Sequence, residues 1–468
     1  MNRLKQFLKT SGVFFIGNTL TKIISFLLLP LYTSKLAPEA FGYYDLTISV
    51  LSLIVPIVFF QIWDGVFRFT FDYKDNIDKY KVISNGFIIQ ASGIICYIAV
   101  FCIFNYLYEV RCRELIFIYG VLVAFQYFYN CVARSFSKNS ALVMTGLLNS
   151  IINLTLNFIL ISYYDFGIEA LYLSYIIGTA VQVVFLEVKL KILKNLSLNT
   201  ISLNLVIKMV KFSLPLCILT ASYWLLSGFT RFMISNELGM FENGLFAVAN
   251  RFTAFLMFIV NVFQFAWYEM SYSLVGDKNK EKYFSMSINF IMRLVLFLGA
   301  PLLILIKLIF PYFISDSYKE ALIILPILFT GVLLNSFTSF ASTLFLAEKD
   351  SKKLLIPTLF AAFVNILGLT FLTKPFGLIG ATLALALSYF TNAVLIIIKL
   401  NSAYNIRLNN KMAITGILIY GVSILIFYYN YQAVYLMIAF LALLIISIYM
   451  FKDIIGMGIK ILKNYKKL

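Results

Sequence analysis

Fourteen apolar runs of about twenty residues, parted by short polar connectors, limit this chain more than any other feature. They lie at residues 11–34, 43–63, 82–107, 115–133, 141–163, 169–190, 208–234, 244–268, 284–306, 321–345, 354–372, 378–398, 412–430 and 435–451. A helix of twenty residues rises about 30 Å, the thickness of a bilayer's hydrocarbon core. Inside lipid every backbone N–H and C=O must be satisfied within the segment, and for isolated runs like these only the α-helix does so. The spacing therefore predicts an all-α, polytopic membrane protein with about 14 transmembrane helices. The first run is too long for the apolar part of a cleavable signal peptide and reads as a helix that both targets the chain and stays.

Composition decides what else the chain can be. Of its 468 residues 61% are hydrophobic and 13% charged, with a mean hydropathy of +0.91, whereas a soluble domain is roughly half apolar. A net charge of +17 would point to nucleic acid in a soluble protein, but here its placement accounts for it. With the N-terminus inside, twenty-eight of the 38 Lys and Arg fall in segments assigned to the cytoplasm and six in outer ones. The excess of cations on cytoplasmic loops then puts both termini in the cytoplasm, and no nucleic-acid partner is expected. The chain has no His, which removes the commonest general base and metal ligand, so no metal or other cofactor is expected. Cys96, Cys102, Cys112, Cys131 and Cys217 show no CxxC spacing and no disulfide framework. A phosphate-binding GxxxxGK[ST] loop is missing from the sequence, so ATP does not drive this chain directly. No outer connector exceeds about fourteen residues, too few for an external catalytic domain. The longer inner connectors, Asp64 to Lys81 and Lys191 to Ile207, each have room for one short interfacial helix.

One connector is written twice. KLAPEAFGYYDL, Lys35 to Leu46, returns 202 residues later as ELGMFENGLFAV, Glu237 to Val248, with Leu36 on Leu238 and Gly42 on Gly244. Further on the offset becomes 210, placing Phe166-Gly167 on Phe376-Gly377. The repeat predicts two pseudo-symmetric six-helix lobes plus two C-terminal helices. Residues 1–206 would hold helices 1–6, residues 207–405 helices 7–12, and residues 406–468 helices 13–14 with a cytoplasmic tail. Six is even, so both copies enter the membrane alike, about an axis along its normal; in transporters such lobes enclose a cavity and rock about it. Gly42 and Gly244 are read as allowing a tight turn into the second helix of each lobe.

The stretches GNTLTKIISFLLLPLYTSKLAPEAFGYYDL (Gly17 to Leu46), IWDGVFRFTFD (Ile62 to Asp72) and GLFAVANRF (Gly244 to Phe252) resemble the Wzx-type polysaccharide (O-antigen) flippases. Their superfamily also holds the multidrug and toxic compound extrusion (MATE) transporters and the MurJ-type lipid II flippases. The resemblance covers essentially the whole chain. It implies a V-shaped pair of six-helix bundles in the bacterial cytoplasmic membrane. By alternating access they would carry an undecaprenyl-pyrophosphate-linked oligosaccharide repeat unit to the outer leaflet, for O-antigen, lipopolysaccharide or other surface polysaccharide synthesis. Implied partners are that lipid-linked oligosaccharide, the membrane lipids, and polysaccharide polymerase and chain-length proteins. Many Wzx proteins are drawn with twelve helices; fourteen is the MurJ-type number.

Four cations lie inside the runs rather than in connectors: Lys22, Arg231, Arg251 and Arg293. A cation at bilayer depth costs at least about 2.5 kcal/mol on insertion scales, so it ordinarily faces a bundle interior or a wet cavity. The repeat equivalents of Arg231 and Arg251 are Leu29 and Ser49, so the two lobes are electrically unequal. Carboxylates are scarcer, with Asp45 at the start of the second helix and Asp64 and Glu269 at inner helix ends. An excess of positive charge suits a pyrophosphate, whose paired oxygens an Arg grips with two hydrogen bonds; all four are therefore candidate substrate-binding residues. The plainer alternative is that each pairs with a carboxylate or carbonyl, or, for Arg293, snorkels. Asp64 and Arg68 stand four apart, as an i,i+4 surface pair or, in the family reading, as a cytoplasmic gate. Asp45 and Glu269 are candidates for ion coupling, although the membrane potential alone favours export of an anion by about 2.3 kcal/mol per charge per 100 mV. Two further readings stay open: a MATE-like ion-coupled drug antiporter, which calls for an excess of buried carboxylates, and a polysaccharide polymerase or ligase, which calls for a large outer loop. Pro30 is expected to bend the first helix.

Overall fold

The computed structural model describes residues 26–73, 75–273, 280–348, 350, 352–429 and 432–453, and these are almost wholly helical. The end of the first run is α1 (Leu29–Lys35); Pro30 lies in its first turn, and helical backbone is interrupted at Leu28 just before it. A proline there forfeits no helical hydrogen bond, so the bend falls on its N-terminal side. α2 (Pro38–Val58) starts on a proline five residues ahead of the apolar run, because its first turn is polar and outside the hydrophobic pattern. α3 (Ile62–Thr70) is the short helix for which the inner connector had room. There follow α4 (Asn76–Leu107), α5 (Arg113–Ser135), α6 (Asn139–Ser162), α7 (Ile168–Leu190), α8 (Leu203–Glu237), α9 (Met240–Ser273), α10 (Lys280–Phe313), α11 (Ala321–Ala347), α12 (Lys352–Tyr404), α13 (Asn410–Tyr428) and α14 (Ala433–Met450).

Among the described residues eleven helices are long and apolar enough to cross a membrane. With α12 taken as two passes and α9 added, thirteen of the expected fourteen are accounted for; most of the first run lies outside the described residues. As one straight helix, the 53 residues of α12 would extend about 80 Å, over twice a bilayer core. Instead the backbone breaks at Gly377 (φ 57°, ψ −139°), two residues past Pro375, in a region of backbone space that only glycine enters freely. Ser388 Oγ donates to Ala361 O at 2.7 Å and Lys399 Nζ to Lys353 O at 3.1 Å. Bonds between residues placed symmetrically about the break are those of an antiparallel hairpin, so the runs at 354–372 and 378–398 are separate passes.

By compactness the chain divides into two units, Met1–Ala247 and Val248–Leu468. In the first, α8 packs along α2 and α3, and α7 along α5 and α6, around a core that includes Val55, Phe59, Val66, Phe128 and Tyr172. In the second, α11 lies on α12, and α10 carries both α13 and α14. Leu425 on α13 is 71% exposed and Ile445 on α14 66%. Leucine and isoleucine bared along whole helices are stable only against lipid, and the protein is a multi-pass membrane protein.

The repeated connector takes a form the sequence did not suggest. Within the first unit the start of α2 lies backbone to backbone on the start of α9. A Cβ placed on Gly42 would overlap Met240 O and stand 2.6 Å from Gly244 N, and one placed on Gly244 would overlap Pro38 O and stand 2.6 Å from Pro38 C. Met240 is the repeat counterpart of Pro38, so each copy makes the same contact with the other, as in a two-fold interface. Asn243 Nδ2 donates to Gly42 O at 2.6 Å across the seam. Neither glycine has positive φ; the left-handed residue entering α9 is Gly239 (φ 120°). The turning role read for Gly42 and Gly244 is corrected: what they provide is close approach of two backbones.

Candidate functional site

Arg231 lies on α8 and Asp45 in the first half of α2, and the packing of those two helices brings them together. Arg231 Nε is 2.5 Å from Asp45 Oδ2, with side chains 16% and 12% exposed. The guanidinium also sends Nη1 to Ser227 O at 3.4 Å and lies 5.3 Å from the centre of the Phe246 ring. A residue expected to bind substrate thus pairs with one expected to couple an ion. A cavity of about 350 Å³ opens beside them, lined also by Ser49, Ser52, Tyr223 and Trp224. Trp224 Nε1 donates to Ser49 O at 2.8 Å. In the sequence Trp224 is one of several aromatics near span ends or within the lobes, most of them read as interfacial anchors and packing and a minority as able to stack on sugar rings; it stands four residues before Gly228. That spacing has a use, because a side chain at Gly228 would overlap the indole ring.

At the other end of α2, Phe60 and Gln61 both have positive φ, 54° and 45°, and Gln61 N closes on Pro56 O at 2.7 Å. Left-handed backbone in two successive non-glycine residues is costly and must be held by its surroundings. Gln61 is held at both ends of its amide, donating from Nε2 to Asp64 Oδ2 at 2.8 Å and accepting from Thr220 Oγ1 of α8 at 2.9 Å. The expected Asp64–Arg68 pair does not form: Arg68 Nη1 is 2.7 Å from Asp72 Oδ1, both side chains half-exposed. Arg68 has an aspartate four residues away on either side, and Gln61 has already engaged the inner one. Burial pushes the Asp64 carboxyl above its ordinary range, against the Gln61 hydrogen bond and the charge of Arg134. Arg134 in turn stands 4.5 Å from the centre of the Phe67 ring.

In the second unit Arg293 of α10 makes a two-point contact with Asp453, Nη1 to Oδ2 at 3.0 Å and Nη2 to Oδ1 at 2.8 Å. Its plane lies 4.9 Å from the Phe451 ring centre. Beside it is a cavity of about 1410 Å³, lined by Trp267, Asn289, Arg407 and Asn409 among others. Arg251 of α9 is half-buried and has no ion pair with a described residue. Lys22 and the Glu269 side chain lie outside the described residues. Of the three intramembrane arginines, then, two are neutralised and the third, Arg251, has no carboxylate partner among the described residues. Another cation has a structural use: Lys307 Nζ caps the end of α13, donating to Phe427 O and Tyr429 O at 2.5 and 2.6 Å.

A family profile described as "Polysaccharide biosynthesis protein" matches residues 7–271, more than half of the chain. No curated protein sequence matches it. Among solved structures, the lipid II flippase MurJ in an inward closed conformation aligns with a TM-score of 0.70 at 14% identity, covering 96% of this chain and 100% of that one. An inward-facing multidrug resistance MATE-family transporter of the MOP superfamily aligns at 0.66 and 16% identity, covering 82% and 94%. An outward-facing transporter of the same description aligns at 0.57 and 15%, covering 85% and 95%. At such identities the likeness is one of fold.

Proposed function

Because the chain belongs to the polysaccharide biosynthesis protein family, we propose that it is a Wzx-type flippase, moving an undecaprenyl-pyrophosphate-linked oligosaccharide across the bacterial cytoplasmic membrane. Its fold is that of transport proteins and not of an enzyme. The family match is the observation that carries this reading, and Arg251, without an ion pair among the described residues, is the chemistry that best supports it. A guanidinium part-way across a bilayer, with no carboxylate beside it among the described residues, lowers the cost of an anionic headgroup crossing the same depth. Lys22 would share that task. Arg231 and Arg293 join in only as far as their pairs with Asp45 and Asp453 open. The lobes alternate access, and both termini lie in the cytoplasm, where the tail and the inner connectors concentrate Lys and Arg. Asp64 and Arg68 stand near the inner end of α2, on separate partners, where the headgroup enters. Membrane lipids, polysaccharide polymerase and chain-length proteins are the partners of that role.

A cationic-drug antiporter is the less favoured reading, because it needs free buried carboxylates, and Asp45 is already matched by Arg231. The test is Arg251→Ala and Arg251→Lys in cells that depend on this protein for surface polysaccharide, with membrane insertion checked by protease accessibility. Export is expected to fall at least tenfold in the alanine variant and to recover partly with lysine. Full export by a well-inserted Arg251→Ala protein overturns the assignment of the site.

A further inference from the structure

The cavity beside Arg231 is chemically unlike an anion site. Asp45 and Arg231 are the only acidic and basic residues lining it among those described, and they pair with one another at 2.5 Å. A pyrophosphate entering here would have to displace Asp45 or accept its repulsion, and either is costly in a partly buried place. An acyl chain would find serines and threonine in place of an apolar wall.

What the lining does present is a donor and an acceptor side by side, with aromatic rings next to them. Arg231 uses Nε on Asp45 and Nη1 on Ser227 O, which leaves guanidinium N–H groups to spare from its five donors, while Asp45 keeps the lone pairs of Oδ1. Neighbouring hydroxyls on a sugar ring, each both donor and acceptor, match such a pair, and the hydroxyls of Ser52 and Thr220 lie in the same wall. Trp224 and Tyr223 supply flat apolar surface for the C–H face of a ring. The indole is fixed, pinned through Nε1 to Ser49 O and seated where Gly228 lacks a side chain; Tyr223 is 52% exposed. A volume of about 350 Å³ is at the low end of ligand pockets, which run from roughly 300 to 1,000 Å³. It admits one ring and its water, not a whole oligosaccharide.

We propose that this cavity between α2 and α8 is a subsite for one neutral pyranose ring of the transported glycan, with Asp45 and Arg231 on adjacent hydroxyls and Trp224 and Tyr223 on the ring face. The inference rests on the flippase reading and refines it: Arg231 serves sugar recognition, and the diphosphate is left to other cations, Arg251 first among them.

The experiment uses the full chain in lipid nanodiscs. A panel of neutral glycosides (methyl gluco-, galacto-, manno- and rhamnopyranoside, and methyl N-acetylglucosaminide) is titrated against tryptophan fluorescence and by calorimetry, with inorganic pyrophosphate as competitor. At least one glycoside should bind saturably and not be displaced by pyrophosphate. Asp45→Asn and Arg231→Gln should each weaken that binding about tenfold or more, the usual effect of losing a hydrogen bond to a charged group. Trp224→Phe should abolish most of the fluorescence change and weaken binding less. Gly228→Ala should weaken binding by unseating the indole; if it does not fold, Trp224→Phe and Ser52→Ala carry the test. Absence of saturable binding by every glycoside, or displacement by pyrophosphate, overturns the subsite. Flipping of a lipid-linked oligosaccharide by the same nanodisc-grade protein in liposomes is scored separately. Sugar binding without flipping would sink the transport reading alone, and flipping with no sugar at Trp224 would sink the subsite alone.

Discussion

Adding one methyl group at Gly244 tests the seam between the two copies of the connector. A Cβ there would stand 2.6 Å from Pro38 C and 2.9 Å from Pro38 Cα, besides overlapping the carbonyl oxygen, where ordinary contact begins at 3.4 Å. The helix starts must therefore part by about 0.8 Å at least, since backbone, unlike a side chain, has no other rotamer to adopt. Overpacking of this kind costs about 1–3 kcal/mol. The same movement stretches the 2.6 Å bond from Asn243 Nδ2 to Gly42 O, worth about 0.5–1.5 kcal/mol. Alanine returns about 0.5–1 kcal/mol through its better helix propensity. Gly244→Ala should thus be destabilised by about 0.5–4 kcal/mol net, and Gly42→Ala, which meets Met240 O and Gly244 N, by a similar amount.

Gly146, inside α6, supplies the control, because a Cβ there meets nothing within 4 Å. Gly146→Ala should be stabilised by the propensity gain alone, so the sign of the effect separates the two sites. The double variant Gly42→Ala/Gly244→Ala opens the seam only once, and its loss should fall short of the sum of the singles by about 1 kcal/mol or more. Reversible unfolding of the purified protein in mixed micelles, followed by tryptophan fluorescence, measures all four. If Gly244→Ala behaves like Gly146→Ala, or the two seam substitutions simply add, the reciprocal contact is not what holds these glycines.

Asp64→Asn should change the pH dependence of stability. The folded protein holds a proton on this carboxyl at pH values above its ordinary 3.8, where the unfolded chain has lost it, so wild type loses stability as pH rises through that window. The variant should melt higher than wild type at pH 7, with the gap closing as pH falls toward 4; a gap independent of pH would refute the burial argument. Lys307→Met removes the charged cap from Phe427 O and Tyr429 O and should cost about 1–3 kcal/mol, with faster amide exchange in the last turn of α13. Unchanged exchange there would mean that the carbonyls find other donors.

The passes were legible because each must satisfy its own backbone across 30 Å of lipid, a demand that writes itself into consecutive residues. Helix ends were less so: α4 begins at Asn76, six residues before its apolar run, since a helix continues past the bilayer for as long as its own hydrogen bonds hold. Arg231 and Arg293 stood out as cations in apolar runs, but their partners lie 186 and 160 residues away, and no local pattern points to either. Arg68 had an aspartate four residues off on both sides, and the choice was made by Gln61, through a backbone conformation that the sequence does not display.

The duplicated glycines show where sequence symmetry stops short of three dimensions. Repetition at a fixed offset says that two segments adopt the same local form, and on that ground each glycine was assigned to its own turn. It does not say that the two segments touch. Once they do touch, with Gly42 on Met240 and Gly244 on Pro38, the restriction on each glycine comes from the backbone of the other copy, and the local φ of neither is unusual. Contact between equivalent positions also explains why the glycine survives in both copies while the residues beside it differ, Phe41 against Asn243 and Tyr43 against Leu245. A neighbouring side chain can differ between the copies, as Asn243 does in reaching across to Gly42 O, whereas at the two glycines the seam leaves no space for a side chain on either side.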